Sequence, residues 1–245
     1  MTEEPYRWLE AISNRREYIR DQLKGGTPVF AVSRPEGILL LGVGQKQSKV
    51  FEIYDRHAFA ALGHPVDIEK IRQAAIEGAH LEGFNRSATD VTLRRLISFS
   101  LSSMLKAAFE QIFAPPLILE SIFAELGDVP AHDCLIRLHH DGDHHYETGG
   151  IVVAHHDLQA ESEAGQWLRK TLAPNDSLPR VASICLTAWQ ALNGGKGFTD
   201  VKAPSEPQLE IAGKVVEAAL LDRQLQGAVR YRPLDFKSAS GAQKR

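Results

Sequence analysis

The pattern of hydrophobic positions at the start of the chain is helical. Apolar side chains recur there at helical spacing, and they are Trp8, Ile12, Ile19 and Leu23. Arginines occupy the other faces, namely Arg15, Arg16 and Arg20. Pro5 suits a first helical turn, and the pair Gly25-Gly26 is typical of a helix end, since glycine adopts the left-handed cap conformation at little cost. The pattern predicts a helix over residues 5–23.

Short apolar runs follow this helix and predict strands. Residues 27–33 and 37–43 are two such runs, joined by the turn Arg34-Pro35-Glu36-Gly37. The second run, GILLLGV, is apolar at both odd and even positions, which indicates a strand buried on both faces. Two further strands are predicted at residues 49–54 and 58–62.

Two long helices are predicted next. The first runs from Asp67, a favoured capping residue, to about Gly83. The second runs from about Asp90 to Phe113, before Pro115-Pro116. Its apolar positions form one unbroken stripe, made of Leu93, Ile97, Leu101, Met104, Ala108 and Ile112.

The remainder of the chain alternates between strands and one further helix pair. Strands are predicted at residues 117–126, 134–139 and 150–155, the last two as a hairpin around Asp141-Gly142-Asp143. The remaining predicted elements are the helices at 160–172 and 178–192 and the strands at 215–222 and 228–231.

The order of these elements indicates the fold class. Blocks of strands alternate with pairs of helices, which differs from the strict strand–helix alternation of a parallel α/β fold. The order suits an α+β protein in which two sheets pack face to face and helices cover each outer side, a four-layer α-β-β-α sandwich. No composition shift marks a boundary, so we predict a single domain over residues 1–234 and a flexible tail over residues 235–245.

Composition and charge narrow the classes of function. The formal net charge of -3 gives no basic surface for nucleic acid, and no apolar run reaches the ~20 residues that span a bilayer. The N-terminus, MTEEPYRWLEAI, lacks the basic and then apolar layout of a signal peptide. Cys134 and Cys185 lie apart in apolar surroundings and are predicted to be buried thiols, so we expect a cytoplasmic protein.

Several segments resemble the alpha-type subunits of bacterial 20S proteasomes. The segment SKVFEIYDR at 48–56, followed by AFAALG at 58–63, is similar to a strand–turn–strand stretch of that family. The helix DIEKIRQAAIEGAHLEGF and the closing segment VVEAALLDRQLQGAVRYRPL are similar to later parts of it. The predicted helix at 5–23 favours the alpha type, because beta-type subunits carry a removable propeptide and then begin at a catalytic threonine.

The resemblance implies a structural role. It predicts a non-catalytic subunit, without cofactor or metal, in a ring of seven identical alpha subunits stacked on rings of catalytic beta subunits. The residues before the helix, Thr2, Glu3 and Glu4, would narrow the entrance for unfolded protein substrates. An AAA+ ATPase activator would dock on the outer surface. A ring-forming relative that lacks partner beta subunits is a further alternative.

The main alternative is an active peptidase that uses Thr27. The bond between Gly26 and Thr27 lies where an active beta-type subunit would cleave itself, and such an enzyme needs a free threonine amine, a lysine and a carboxylate. Val43 occupies the position of the family's catalytic aspartate, and Pro28 stiffens the backbone beside the bond. These residues favour a silent subunit.

Lys49 is the candidate binding residue. The resemblance places it on a lysine that lines pockets between adjacent alpha subunits, where the C-terminal carboxylate of an activator binds. An ammonium group at a pocket floor pairs well with such a carboxylate. The alternative is a solvated lysine at the end of a strand.

A histidine-rich segment, LHHDGDHH at 138–145, offers groups that could bind a metal ion. Asp-Gly-Asp is also a good hairpin turn, and neighbouring side chains on a strand point to opposite faces. We therefore expect an exposed polar hairpin here, with a metal site as the alternative.

Overall fold

The computed structural model of the chain describes residues 4–45 and 47–236. Its first element is helix α1, Glu4–Leu23, which confirms the predicted N-terminal helix. Ile19 and Leu23 are buried, but Trp8 is 48% exposed, so the core-facing stripe covers only the second half of the helix. Arg15, predicted on another face, is itself buried.

Ten strands of the described residues form two antiparallel sheets. The first sheet has the order β10-β9-β2-β1-β8 and the second has the order β3-β4-β5-β6-β7. The strands are β1 Val29–Arg34, β2 Gly37–Gly44, β3 Val50–Tyr54, β4 His57–Gly63, β5 Leu119–Glu125, β6 Cys134–Leu138, β7 His144–Tyr146, β8 Ile151–Ala154, β9 Val215–Asp222 and β10 Tyr231–Leu234.

Strand β2 shows how the two faces of the first sheet are used. Ile38 and Leu40 belong to a hydrophobic cluster that also contains Leu62 and Ile122 of the second sheet. The alternate residues of β2 belong to a second cluster with residues of the helices between β8 and β9. Both faces are therefore buried, which confirms the prediction made from GILLLGV.

Apart from the helix predicted at 90–113, the helices begin and end within two residues of the predicted bounds. They are α2 Pro65–Asn85, α3 Leu93–Leu96, α4 Ser102–Glu110, α5 Leu158–Thr171 and α6 Leu178–Asn193. Short 3-10 turns lie at Ala88–Asp90 and Pro130–His132. Within the part of the chain that is described, no helix is long and apolar enough to cross a membrane.

The predicted cap of α2 is wrong. His64 occupies the N-cap position and Pro65 begins the helix, so Asp67 lies inside the first turn. The Asp67 carboxylate accepts a hydrogen bond from the backbone N–H of Ile118, at 3.0 Å. The carboxylate therefore binds the backbone next to β5, and does not cap the helix as the sequence pattern predicted.

The predicted single helix at 90–113 is broken. A π-helical turn, Ile97–Leu101, joins α3 to α4. A π turn inserts one extra residue into the helix. The side chains of α4 are therefore rotated about the helix axis relative to those of a continuous α-helix. The buried positions of α4 are accordingly Leu105 and Phe109, where the stripe predicted Met104 and Ala108.

The predicted hairpin between residues 134–139 and 150–155 is also wrong. The turn exists, but β6 pairs with the short strand β7, with Leu138 opposite His144. Strand β8 instead pairs with β1 in the other sheet. Val152 and Ala154 belong to the cluster between the sheets, and this burial favours the pairing of β8 with β1.

Both cysteines are free thiols in the described structure. Burial raises the pKa of Cys185 to about 12 and that of Cys134 to about 11. Cys185 is fully buried as predicted, whereas Cys134 is partly exposed at the start of β6.

Arg15 fastens α1 to the end of α4. Its guanidinium donates to the carbonyl oxygens of Ala108 and Ala114, each at 2.9 Å. The last carbonyls of a helix have no donor within the helix, so the guanidinium supplies the hydrogen-bond donor that the Ala108 carbonyl would otherwise lack.

We expect Arg15→Ala to lower the free energy of unfolding by ~2 kcal/mol, the scale of hydrogen bonds to a charged group. Urea denaturation would measure this loss. Arg20→Ala, on an exposed position of the same helix, is the matched control and should change stability by less than ~0.5 kcal/mol. Equal losses in both variants would show that the hydrogen bonds of Arg15 to the end of α4 add no stability of their own.

Candidate functional site

Two glycines of β2 make room for the side chain of Lys49. A Cβ atom at Gly42 would lie 2.9 Å from Lys49 Cβ, and one at Gly44 would lie 3.6 Å from Lys49 Cε. No side chain at position 42 fits without displacing the lysine. The aliphatic part of Lys49 therefore lies across the end of β2.

The ammonium group of Lys49 reaches the segment that follows α1. Lys49 Nζ donates a hydrogen bond to the carbonyl oxygen of Thr27, at 3.3 Å. Thr27 and Lys49 line one open cleft of about 430 Å³, together with Gly26, Gly44, Gln47 and Lys214. Lys49 and Thr27 were separate candidates in the sequence, and the fold brings them together.

Glu217 is a residue of this candidate site that sequence reasoning missed. It lies on β9 opposite Gly42, and its Oε2 accepts a hydrogen bond from the backbone N–H of Lys49 at 2.6 Å. Its signal in the sequence is a single carboxylate inside the apolar run VVEAALL, a position that needs a buried partner.

Burial controls the charge of the lysine. It lowers the pKa of Lys49 to about 8, an effect that the negative charge of Glu217 partly opposes. Burial also raises the pKa of Glu217, against hydrogen bonds from Lys49, Ser48 and Val50 that lower it. At neutral pH the cleft thus holds an ammonium group that is poorly solvated and has donors to spare, which is what an incoming anion needs.

The hydroxyl of Thr27 is already engaged. It donates to the backbone carbonyl of Val43 at 2.5 Å, and the Val43 side chain is buried against the helices between β8 and β9. The Thr27 nitrogen is part of the peptide bond to Gly26, whose own N–H bonds to Leu23 O at 2.8 Å and ends α1. In this arrangement Thr27 presents neither a free amine nor a carboxylate partner.

Comparison with known proteins gives the family. No protein-family model matches the chain. The protein named proteasome subunit alpha in Actinosynnema mirum is 33% identical over 216 residues, which cover 87% of this chain and 77% of that protein. The chain belongs to the bacterial proteasome alpha-subunit family.

Other proteasome alpha subunits agree with this assignment. That of Renibacterium salmoninarum is 33% identical over 87% of the chain, and that of Streptomyces coelicolor is 29% identical over 96% of it. The chain spans 82% and 85% of these proteins. The resemblance predicted from SKVFEIYDR and the order of elements is confirmed; in the structure the segment forms β3 and the turn into β4.

Two histidines of this proteasome alpha-family chain are hydrogen-bonded to one buried carboxylate. Glu120 accepts a hydrogen bond from His139 Nδ1 at 2.9 Å and another from His140 Nδ1 at 2.6 Å. The rule that neighbouring strand residues face opposite sides fails here because β6 ends at Leu138. The ring of His145 lies 5.6 Å from that of His139, and His145 pairs with Glu147 rather than with Glu120. Across residues 4–45 and 47–236 no set of three such groups is arranged to hold a metal ion.

The three residues predicted to form a gate are only partly covered. Thr2 and Glu3 lie outside the described residues. Glu4 is the first residue of α1, so it belongs to the helix and not to a segment before it. The gate remains a prediction.

Proposed function

We propose that this chain is a non-catalytic alpha-type subunit of a bacterial 20S proteasome that receives the C-terminal tail of an activator at Lys49. The observation that carries the proposal is the half-buried Lys49, which lines an open cleft and whose ammonium group donates to one backbone acceptor at 3.3 Å. A chain-terminal carboxylate would supply a negative charge beside this ammonium group and further acceptors for its N–H donors.

The proposal extends to the assembly. The subunits form a ring of seven, stack on catalytic beta-type subunits and dock an AAA+ ATPase that delivers unfolded proteins. The three hydrophobic clusters, one between the sheets and one on each outer side, support the four-layer sandwich expected for such a subunit. The segment Thr2–Glu4 narrows the axial entrance. The two free thiols support a reducing, cytoplasmic setting.

The environment of Thr27 supports the absence of catalysis. Its hydroxyl bonds to a carbonyl, and Val43 stands where a carboxylate is required. The helix before it packs through Ile19 and Leu23 into the cluster between the sheets, so removal of residues 1–26 would expose that core.

The catalytic part is tested by co-expression with a catalytic beta-type subunit. We expect an intact mass that retains α1, and equal peptide hydrolysis by complexes that contain wild type or Thr27→Ala. Loss of residues 1–26, or a covalent adduct of Thr27 with an epoxyketone inhibitor, would show that the chain is a peptidase instead.

The docking part is tested with a short fluorescent peptide that has a free C-terminal carboxylate. We expect the assembled protein to bind it, and to bind the same peptide with an amidated terminus at least about tenfold more weakly, because the amide carries no charge. Equal binding of the two peptides would rule out carboxylate recognition at the cleft.

A further inference from the structure

A second lysine, Lys214, lines the same cleft as Lys49. It directly precedes β9, whose first residue, Val215, is paired with Gly44. Gly44 is also the residue over which the end of the Lys49 side chain lies. Both lysines therefore approach the cleft at the same end of the β2–β9 pair, Lys49 across Gly44 and Lys214 from the residue before Val215.

A turn just before β9 holds the backbone of Lys214 in place. Its N–H bonds to Ile211 O at 3.1 Å, and Gly213 has a φ of 70°, a left-handed conformation that glycine adopts easily. Lys214 is half-buried, and within the described residues its ammonium group has no carboxylate partner.

The cleft has an excess of positive charge. Its described lining residues include two lysines and no carboxylate. Glu217 lies behind Lys49, where its carboxylate accepts hydrogen bonds from the backbone N–H groups of Lys49 and Val50 and from Ser48. One ligand carboxylate would therefore leave one lysine of the cleft unpaired.

We propose that the peptide tail that docks at Lys49 carries a second carboxylate, on a side chain within its last few residues, and that Lys214 binds it. This inference rests on the proposed docking function and adds the chemistry of the partner. Lys49 would anchor the terminal carboxylate, and Lys214 would make the cleft selective for acidic tails.

The test uses two fluorescent peptides that differ only in a penultimate Glu or Gln and both have a free terminal carboxylate. We expect the assembled wild-type protein to prefer the Glu peptide about fivefold, the scale of a partly exposed ion pair. In Lys214→Met the preference should vanish while affinity for the Gln peptide stays the same. Lys196→Met, on an exposed loop, should keep the preference.

The outcomes separate the two proposals. If wild type binds both peptides equally, or if Lys214→Met keeps the preference, the role of Lys214 is wrong while docking at Lys49 stands. If wild type binds neither peptide, both proposals fail. Raising the salt concentration should reduce the preference, because salt screens charges at this degree of exposure; a preference that salt leaves unchanged would count against an ion pair.

Discussion

Replacement of Arg137 by methionine is expected to lower the free energy of unfolding by about 3–5 kcal/mol, the cost of removing one partner from a buried ion pair. Arg137 is 0% exposed on β6. Its guanidinium pairs with Glu120 at 2.7 Å and with Glu161 of α5 at 3.0 Å. The variant would leave two largely buried carboxylates without their cation.

The pH dependence of this loss follows from Glu120. Burial would raise the pKa of Glu120, but Arg137 and the hydrogen bonds from His139 and His140 hold it well below its usual range. A carboxylate with a lowered pKa in the folded state stabilises the fold above its unfolded pKa of ~4.3, and this contribution declines as the pH falls below that value. The difference between wild type and Arg137→Met should therefore narrow below about pH 4.

Urea denaturation followed by tryptophan fluorescence would measure both effects. The control is Arg232→Met, which removes an ion pair with Asp222 from a side chain that is 46% exposed. We expect a loss below ~1 kcal/mol there, since water already solvates the exposed charge. A small loss in Arg137→Met, comparable to the control, would show that the buried network contributes little.

The second large effect is expected at Lys49. Lys49→Met should weaken binding of a peptide with a free C-terminal carboxylate about 100-fold, within the range for removing one partner of a desolvated charge pair. Methionine keeps the length and apolar character of the side chain that lies across Gly42 and Gly44. The loss should therefore reflect charge rather than misfolding, and an unchanged melting temperature would confirm this.

Wild-type binding should also weaken at alkaline pH. Only the protonated lysine attracts a carboxylate, and its pKa is lowered to about 8 by burial, with partial opposition from Glu217. Affinity should be constant well below the pKa of Lys49 in the free protein, fall by up to about tenfold per pH unit above it, and level off above the pKa of the bound complex. Lys49→Arg should still bind at about pH 9, because a guanidinium stays charged. Binding that is insensitive to both substitution and pH would place the anion elsewhere.

Several tertiary features have no local signal in the sequence. The pattern at 90–113 predicts one stripe, but the π turn at Ile97–Leu101 shifts it by one residue. The segment 150–155 follows a good turn, yet β8 pairs with β1 because its apolar face is buried between the sheets. Asp67 is a residue type that favours helix capping, but its carboxylate instead binds the backbone of Ile118, 51 residues away.

The sequence by itself determined the type and order of the long elements, the burial of β2 on both faces and the family. These depend on periodicity and on contiguous segments such as SKVFEIYDR, which are local properties. Lys49 was identified as a candidate from the same segment, by resemblance.

Only the tertiary structure decided what surrounds that lysine. Glu217 is 168 residues away from Lys49 and Thr27 is 22 residues away, yet both contact it. Lys214 reaches the same cleft because β9 pairs with β2. Pairing of distant strands and loss of water together set the charge of the site, and neither is encoded in the spacing of residues along the chain.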